Sequence, residues 1–282
     1  QFKDCLILKQ ITIPESVKEI KSRAFYGCIN LTSMSILSCK INIAENAFFG
    51  IRTLKITGNI EIIPKNAFKD CTTLKEISIP DSVTDIRNSA FEGCTSLVKI
   101  VIPESVNEIG YNAFKGCSKL KEISIDSISE IGNSVFDGCT SLEIFSISSS
   151  VTSIGDSAFN ECTSIKSIKI PSSVNSIGKY AFAKCSSLQD IQFESHESID
   201  KINDFLFSEC TSLRKLILPL SIKKIENSAF RGCSSLQEIS IPESVSNIEN
   251  SAFEGCTSLS KIVLASTNIT IGNNAFFFCY KY

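Results

Sequence analysis

Thirteen cysteines and a single histidine are the side chains of this 282-residue sequence best suited to metal ligation, disulfide formation or nucleophilic chemistry. Their spacing decides between those uses. Cys5, Cys28, Cys71, Cys94, Cys117, Cys139, Cys162, Cys185, Cys210, Cys233, Cys256 and Cys279 each stand three residues after a phenylalanine, and no Cys-x-x-Cys occurs. A structural metal site needs two to four ligands converging within a few residues or across a pocket. One cysteine per regular interval supplies no such cluster, so no metal and no cofactor are expected. So many cysteines in a secreted chain would ordinarily signal a disulfide framework. Bridges need Cα atoms within about 7 Å and side chains turned toward each other, which a column of parallel side chains does not provide. The spacing therefore predicts a buried column of small, free thiols; Cys39, outside the column in a turn, is the thiol best placed to meet solvent, the alternative being an inert buried cysteine there as well.

His196 is flanked by Glu194, Ser195, Glu197 and Ser198, which between them hold a base, acids and hydroxyls. Two inserted residues lie here, and an insertion of this kind belongs to a solvated loop. A triad needs its members to converge from different elements, and the serines recur too regularly to single out a nucleophile. Glycines follow the same regular spacing rather than clustering as a phosphate loop. The sequence predicts no enzyme, and a site near His196 is the remote alternative.

The regularity is that of a repeat. Phe2, Phe25, Phe48, Phe68, Phe91, Phe114, Phe136, Phe159, Phe182, Phe207, Phe230, Phe253 and Phe276 are separated by twelve intervals, nine of 23 residues and the others of 20, 22 and 25. A period of this size indicates a stack of coils rather than an ordinary globule. In the unit from Leu97 to Cys117, the apolar positions Leu97, Ile100 and Ile102 read L-x-x-L-x-L, whose alternation is that of a short strand facing inward. Pro103 cannot donate to a ladder and ends the strand; Glu104-Ser105 suits a turn. Val106 and Ile109 return to the core, and a single helical turn is expected to start near Asn112-Ala113-Phe114. Each coil alone exposes an apolar face, which stacking covers. Where the three residues Cys-Thr-Ser are missing between Gly50 and Ile51, the residues Ile51, Leu54 and Ile56 resume the pattern, so register should survive. The units Met34 to Ala44 and Leu264 to Gly272 lack the proline and carry Lys40 or Asn268 at the valine slot, which predicts distorted coils.

The stretch Leu236-Gln237-Glu238-Ile239-Ser240-Ile241-Pro242-Glu243-Ser244-Val245, followed by Ile248 and Ala252-Phe253-Glu254-Gly255-Cys256, resembles the BspA-type, or treponemal-type, leucine-rich repeat over essentially the whole chain. With the repeat pattern, this gives the expected fold: an α/β, β-rich leucine-rich-repeat solenoid, a curved right-handed stack with one parallel β-sheet on the concave face. Residues 1–282 read as a single solenoid of about twelve 23-residue repeats, cut mid-repeat at both ends, since Phe2 to Cys5 and Phe276 to Cys279 are the same part of the unit. Such ends should expose apolar edges and favour end-to-end self-association. The family occurs in surface and secreted proteins of anaerobic bacteria and mucosal protozoa. The resemblance thus implies a cell-surface or secreted protein that adheres to host matrix or cell proteins. The alternative is a cytoplasmic scaffold or regulatory adaptor, which suits reduced thiols equally. Asn30-Leu31-Thr32 and Asn268-Ile269-Thr270 are glycosylation sequons that a secretory route could use.

A stack of parallel strands makes a ribbon on the order of 50 to 60 Å long at about 4.8 Å per strand, and repeat proteins bind through such surfaces. The third and fifth residues of each L-x-x-L-x-L point outward and form the candidate surface. Its first half holds Glu76, Ser78, Lys99, Val101, Glu122, Ser124, Ile144 and Ser146. Its second half holds Ser167, Lys169, Asp190, Gln192, Lys215, Ile217, Glu238 and Lys261. Glu76, Lys99 and Glu122 alternate in sign, as do Lys215, Glu238 and Lys261, so cross-strand ion pairs of about 0.2 to 1 kcal/mol each are expected. Ile144 and Val101 add apolar surface, whereas the neighbouring Phe145 falls in a core slot. The partner class is protein. Twenty-eight basic residues against 30 acidic ones, interspersed, give a net charge of −2 and no basic footprint for nucleic acid. No apolar run reaches the roughly 18 to 20 residues that cross a bilayer.

Overall fold

A computed structural model of the chain describes residues 2–194 and 198–279. It divides into two compact units, Gln1–Ile144 and Phe145–Tyr282, and each is a parallel β-solenoid. In the first unit, the strands Gln10–Ile13, Ser33–Ile36, Thr53–Gly58, Glu76–Ser78 and Lys99–Val101 form one parallel sheet in chain order. In the second, Ser167–Ile170, Asp190–Phe193, Lys215–Ile217, Glu238–Ile241 and Lys261–Leu264 do the same. Their alternation is the predicted one: Ile77 and Ile100 are buried while Glu76, Ser78, Lys99 and Val101 are exposed.

Each coil has more regular structure than the one expected strand. After the proline, the Val106 amide donates to the Pro103 carbonyl at 3.0 Å, closing a tight turn, and a second, two-residue strand follows at Glu108–Ile109. These short strands pair in parallel with their counterparts, as in Ile62–Ile63, Asp85–Ile86 and Glu108–Ile109 of the first unit. Lys201–Ile202, Lys224–Ile225, Asn247–Ile248 and Thr270–Ile271 form the equivalent ladder in the second.

The expected helical turn is absent: no α-helix occurs among the described residues. The backbone shows why. Asn112 and Gly116, either side of Ala113-Phe114, have φ of 59° and 71°, in the left-handed region that a right-handed helix excludes. The amides that a helix would use internally point instead to the next coil. Phe91 donates to the Ala113 carbonyl at 2.8 Å, Gly93 to Lys115 at 2.8 Å, and Phe114 to Val135 at 3.0 Å. A third hydrogen-bonded ladder therefore replaces the helix. The same pattern joins Phe230 to Ala252 and Gly232 to Glu254, both at 2.7 Å.

Behind these ladders the phenylalanines stack. Phe68 and Phe91 lie 5.2 Å apart between ring centroids and 4° from parallel, Phe91 and Phe114 5.3 Å and 2°, and Phe230 and Phe253 5.0 Å and 7°. Rings in the same slot of successive coils lie nearly parallel, and all of these are fully buried. Burying each is worth about 1.5 to 3 kcal/mol.

The 20-residue unit keeps its core but shifts its pairing. Ser33 lies beside Lys55, not beside Thr53 as the repeat alignment implies, and Met34 beside Ile56. On its other edge the same strand pairs Thr53 with Glu76. The missing turn residues are absorbed by a two-residue slip. A slip of two leaves every side chain on its own face, whereas a slip of one would reverse them all. Gly58 ends this strand at φ 105°, where a Cβ would collide with the carbonyl oxygen of Ile36. The two units with Lys40 or Asn268 at the valine slot retain both strands, at Ser33–Ile36 with Asn42–Ile43 and at Lys261–Leu264 with Thr270–Ile271. At Lys40 the turn is held by a hydrogen bond from the Ser38 hydroxyl to the Lys40 carbonyl at 2.9 Å, and the neighbouring Ile41 is buried in its place.

Candidate binding surface

The side chains richest in chemistry turn out to be structural. All thirteen cysteines are free; Cys39 is exposed, Cys5 half-buried, and the rest of the column is buried. Most of the buried thiols have a defined acceptor on the preceding coil: Cys94 donates to the Phe68 carbonyl at 3.0 Å, Cys117 to Phe91 at 3.2 Å, and Cys210 to Phe182 at 3.1 Å. Burial pushes the thiols of Cys71 and Cys185 up to about 12 and raises those of Cys94, Cys117 and Cys210. Thiols so raised are neutral donors at physiological pH, the opposite of an activated nucleophile.

The recurrent serines have a comparable task. The hydroxyls of Ser82, Ser105, Ser221 and Ser244 donate to Ile60, Val83, Ile199 and Ile222 carbonyls at 2.6 to 2.7 Å. This satisfies backbone groups at turns. His196, with Ser195 and Glu197, lies outside the described residues. Among the described residues no group of three or more His, Cys, Asp or Glu side chains is placed to hold a metal ion.

The long-strand faces bring the predicted outward residues together in each unit. In the first, Thr53, Lys55, Glu76, Ser78, Lys99 and Val101 line a shallow groove of about 320 Å³. Glu76 and Lys99 are register partners, yet no ion pair joins them among the described residues, and their side chains project into the groove separately. Glu122 pairs with Ile144 through one parallel bridge. Ser124 is exposed and its hydroxyl donates to Asp126 at 2.9 Å, while Ile144 is 69% exposed.

In the second unit the expected alternation of charge is realised. Glu238 is held by Lys215 at 3.3 Å and Lys261 at 3.5 Å. Hydrogen bonding to Lys215, with the positive charge of both lysines, draws the Glu238 carboxyl below its ordinary range. Lys169 pairs with Glu194 at 2.7 Å, and Gln192 donates to Asp190 at 2.6 Å. Ser146 and Ser167 are exposed, and Phe145 is buried and packs at 4.8 Å on Phe159, as its core slot implied.

A groove of about 1190 Å³ lies on this face, lined by Asp190, Gln192, Phe193, Lys215, Ile217 and Leu220 among others. Ile217 and Leu220 are 73% and 82% exposed. The repeat pattern selected Ile217 but missed Leu220, which stands outside the strand. Its signal was present: the residue after the proline is Glu15, Asp81, Glu104, Ser172 and Glu243 in other units and leucine only here. An apolar side chain that stays in solvent at a turn slot buries little area and so adds little to folding.

The turns behind Phe carry a second feature that the strand pattern did not reveal. The residue before the alanine slot has a left-handed backbone throughout, and most coils place Asn or Ser there, including Asn46, Asn66, Ser89, Ser157, Ser228 and Ser251. Tyr180 and Phe205 occupy the same slot at φ of 57° and 56°. A bulky residue there costs on the order of 1 to 2 kcal/mol. Ion pairs between coils also run along this side, at Lys69 with Glu92 (3.3 Å) and Lys115 with Asp137 (2.9 Å).

Comparison with known proteins places this architecture. A family model described as a BspA-type leucine-rich repeat region matches residues 1–121, 61–189 and 152–282. Among solved structures, the chain is 31% identical to a leucine-rich cell surface protein from Faecalibacterium prausnitzii, covering 93% of this chain and 80% of that one with a TM-score of 0.57. A leucine-rich repeat protein from Bacteroides ovatus is 27% identical, with 96% and 84% covered and a TM-score of 0.57. The pneumococcal vaccine antigen PcpA, 23% identical over 100% of this chain and 78% of its own, shares the fold at a TM-score of 0.59. A comparison with curated protein sequences gives no match.

Proposed function

Because this chain belongs to the BspA-type leucine-rich repeat family, we propose that it is a protein-binding module of the cell surface, adhering to host matrix or cell proteins through its long-strand faces. The observation that carries this reading is the exposure of Ile217 and Leu220 in one groove, rimmed by Asp190, Gln192 and Lys215. Apolar side chains projecting from a polar rim make the centre of a protein interface rather than a folding core. Val101, 61% exposed among Glu76, Ser78 and Lys99, repeats the theme in the first unit. Among the described residues no tryptophan or tyrosine stands on these faces to act as an anchor, so affinity is moderate and gains from repetition of the groove.

Surface display is supported by likeness to a cell surface protein. No helix among the described residues is long and apolar enough to cross a membrane. The reduced cysteines favour a second reading, an intracellular scaffold, because free thiols persist in reducing compartments. Their burial weakens that argument, since thiols held neutral and out of solvent also resist oxidation outside the cell. No catalytic role is assigned to this module.

The test is binding of the intact chain to a panel of purified extracellular-matrix glycoproteins, compared with an Ile217→Asp/Leu220→Asp variant of unchanged circular dichroism. Saturable binding lost in the variant supports the reading; binding that the variant retains, or none at all, contradicts it.

A further inference from the structure

We infer that the stacked rings of Tyr180 and Phe205 form an aromatic platform that binds a carbohydrate ring, at a site separate from the long-strand face. The two rings lie 4.6 Å apart and within 6° of parallel. Both are carried by left-handed residues, φ 57° and 56°, in the column that places serine at Ser157 before them and Ser228 after them. Phe205 covers one face of the Tyr180 ring. The other face looks toward the coil of Ser157, whose small side chain leaves room for a ring-sized group. A depression of about 400 Å³ runs along both rings from the Ser157 coil onward, lined by Ser157, Asn160, Tyr180, Lys184, Phe205 and Arg231 among others.

Folding explains the pair only in part. Asparagine and serine meet the backbone demand of this column with less strain, and Tyr180 leaves 41% of its surface in solvent. Costly backbone geometry kept for a half-exposed aromatic ring points to a function for that ring. The chemistry around the ring selects the ligand. An aromatic face carries the negative side of the ring quadrupole, which attracts the weakly positive C–H groups on one side of a pyranose. The rim offers hydroxyl-binding groups of both signs: the Asn160 amide and the Lys184 ammonium, which lies 2.8 Å from the Glu161 carboxylate. A flat hydrocarbon would leave this rim unused, and a phosphate would meet the Glu209 carboxylate beside two cations that already carry carboxylate partners, Lys184 with Glu161 and Arg231 with Glu254. A neutral, polyhydroxylated ring satisfies both the face and the rim.

Saturation-transfer NMR on the full chain with chitotetraose, cellotetraose, maltotetraose and sialyllactose as probes tests this. The decisive variant is Tyr180→Asn, which installs the residue the column prefers and so remains folded; its melting temperature is measured alongside. The expected result is saturable binding of at least one oligosaccharide, weakened tenfold or more by Tyr180→Asn and unaffected by Ile217→Asp. The inference is overturned if none of the four sugars gives a signal, if Tyr180→Asn binds as tightly as the parent, or if N-acetyltyrosinamide binds there while the sugars do not.

Discussion

The thiol of Cys117 donates a hydrogen bond to the carbonyl oxygen of Phe91, 3.2 Å away and 26 residues earlier in the chain. That same oxygen accepts the amide of Cys94 at 3.1 Å, so one carbonyl closes the turn of its own coil and ties down the next. Repetition of this link explains why a cysteine recurs without disulfides or metal. The slot needs a small apolar side chain with one weak donor.

Cys117→Ala removes both the donor and the volume of a sulfur atom from a fully buried site. A loss of about 1 to 2 kcal/mol in unfolding free energy is expected, measured by urea denaturation. An unchanged midpoint would show that the thiol is incidental.

The thiols also set an alkaline limit. An unfolded cysteine ionises near 9.0, whereas Cys71 and Cys185 are pushed to about 12 by burial. A folded-state value above the unfolded one means stability that is complete below pH 9 and is lost as pH rises toward 12. Each such thiol costs about 1.4 kcal/mol per pH unit within that window. Since the column repeats this term, the chain should unfold cooperatively between pH 9 and 12. Below pH 9 Ellman's reagent should modify Cys39 first. Circular dichroism constant to pH 12 would contradict this.

Gly58→Ala probes the shifted register. At φ 105° and against the Ile36 carbonyl, alanine strains the end of the strand that bridges two registers. A destabilisation of at least about 1 to 3 kcal/mol is expected from thermal or urea unfolding. A neutral result would mean that the slip occurs elsewhere.

Glu238→Gln breaks the Lys215–Glu238–Lys261 cluster on an exposed face, where screening leaves ion pairs little net worth. No measurable change in melting temperature is expected. Because the carboxyl is drawn below its usual range, its small contribution is present above pH 4.5 and fades as pH falls through the lowered value. A large loss at neutral pH would show a structural role.

The fold was legible because the period is carried by side chains that must be buried: Leu97, Ile100, Phe114 and Cys117 mark their slots directly. The helical turn was misread because Ala113-Phe114 looks helical locally. The left-handed Asn112 and Gly116, and amides that reach the next coil, are fixed by stacking, which a single unit does not reveal. The Ser33–Lys55 pairing escaped for a similar reason, since deleting turn residues conserves the in-and-out pattern while moving the partners. On the binding side, parity alone picked out Val101, Ile144 and Ile217. Leu220 and Tyr180 stand outside the strands, where the only clue is a residue type that conflicts with its slot.

The central claim is that the long-strand faces bind protein. Surface plasmon resonance of the intact chain over immobilised matrix glycoproteins, beside Ile217→Asp/Leu220→Asp, tests it most directly. The account predicts saturable binding that falls at least tenfold in the double variant while its melting temperature stays within a few degrees. Equal binding by both proteins would place the interface elsewhere and contradict the claim.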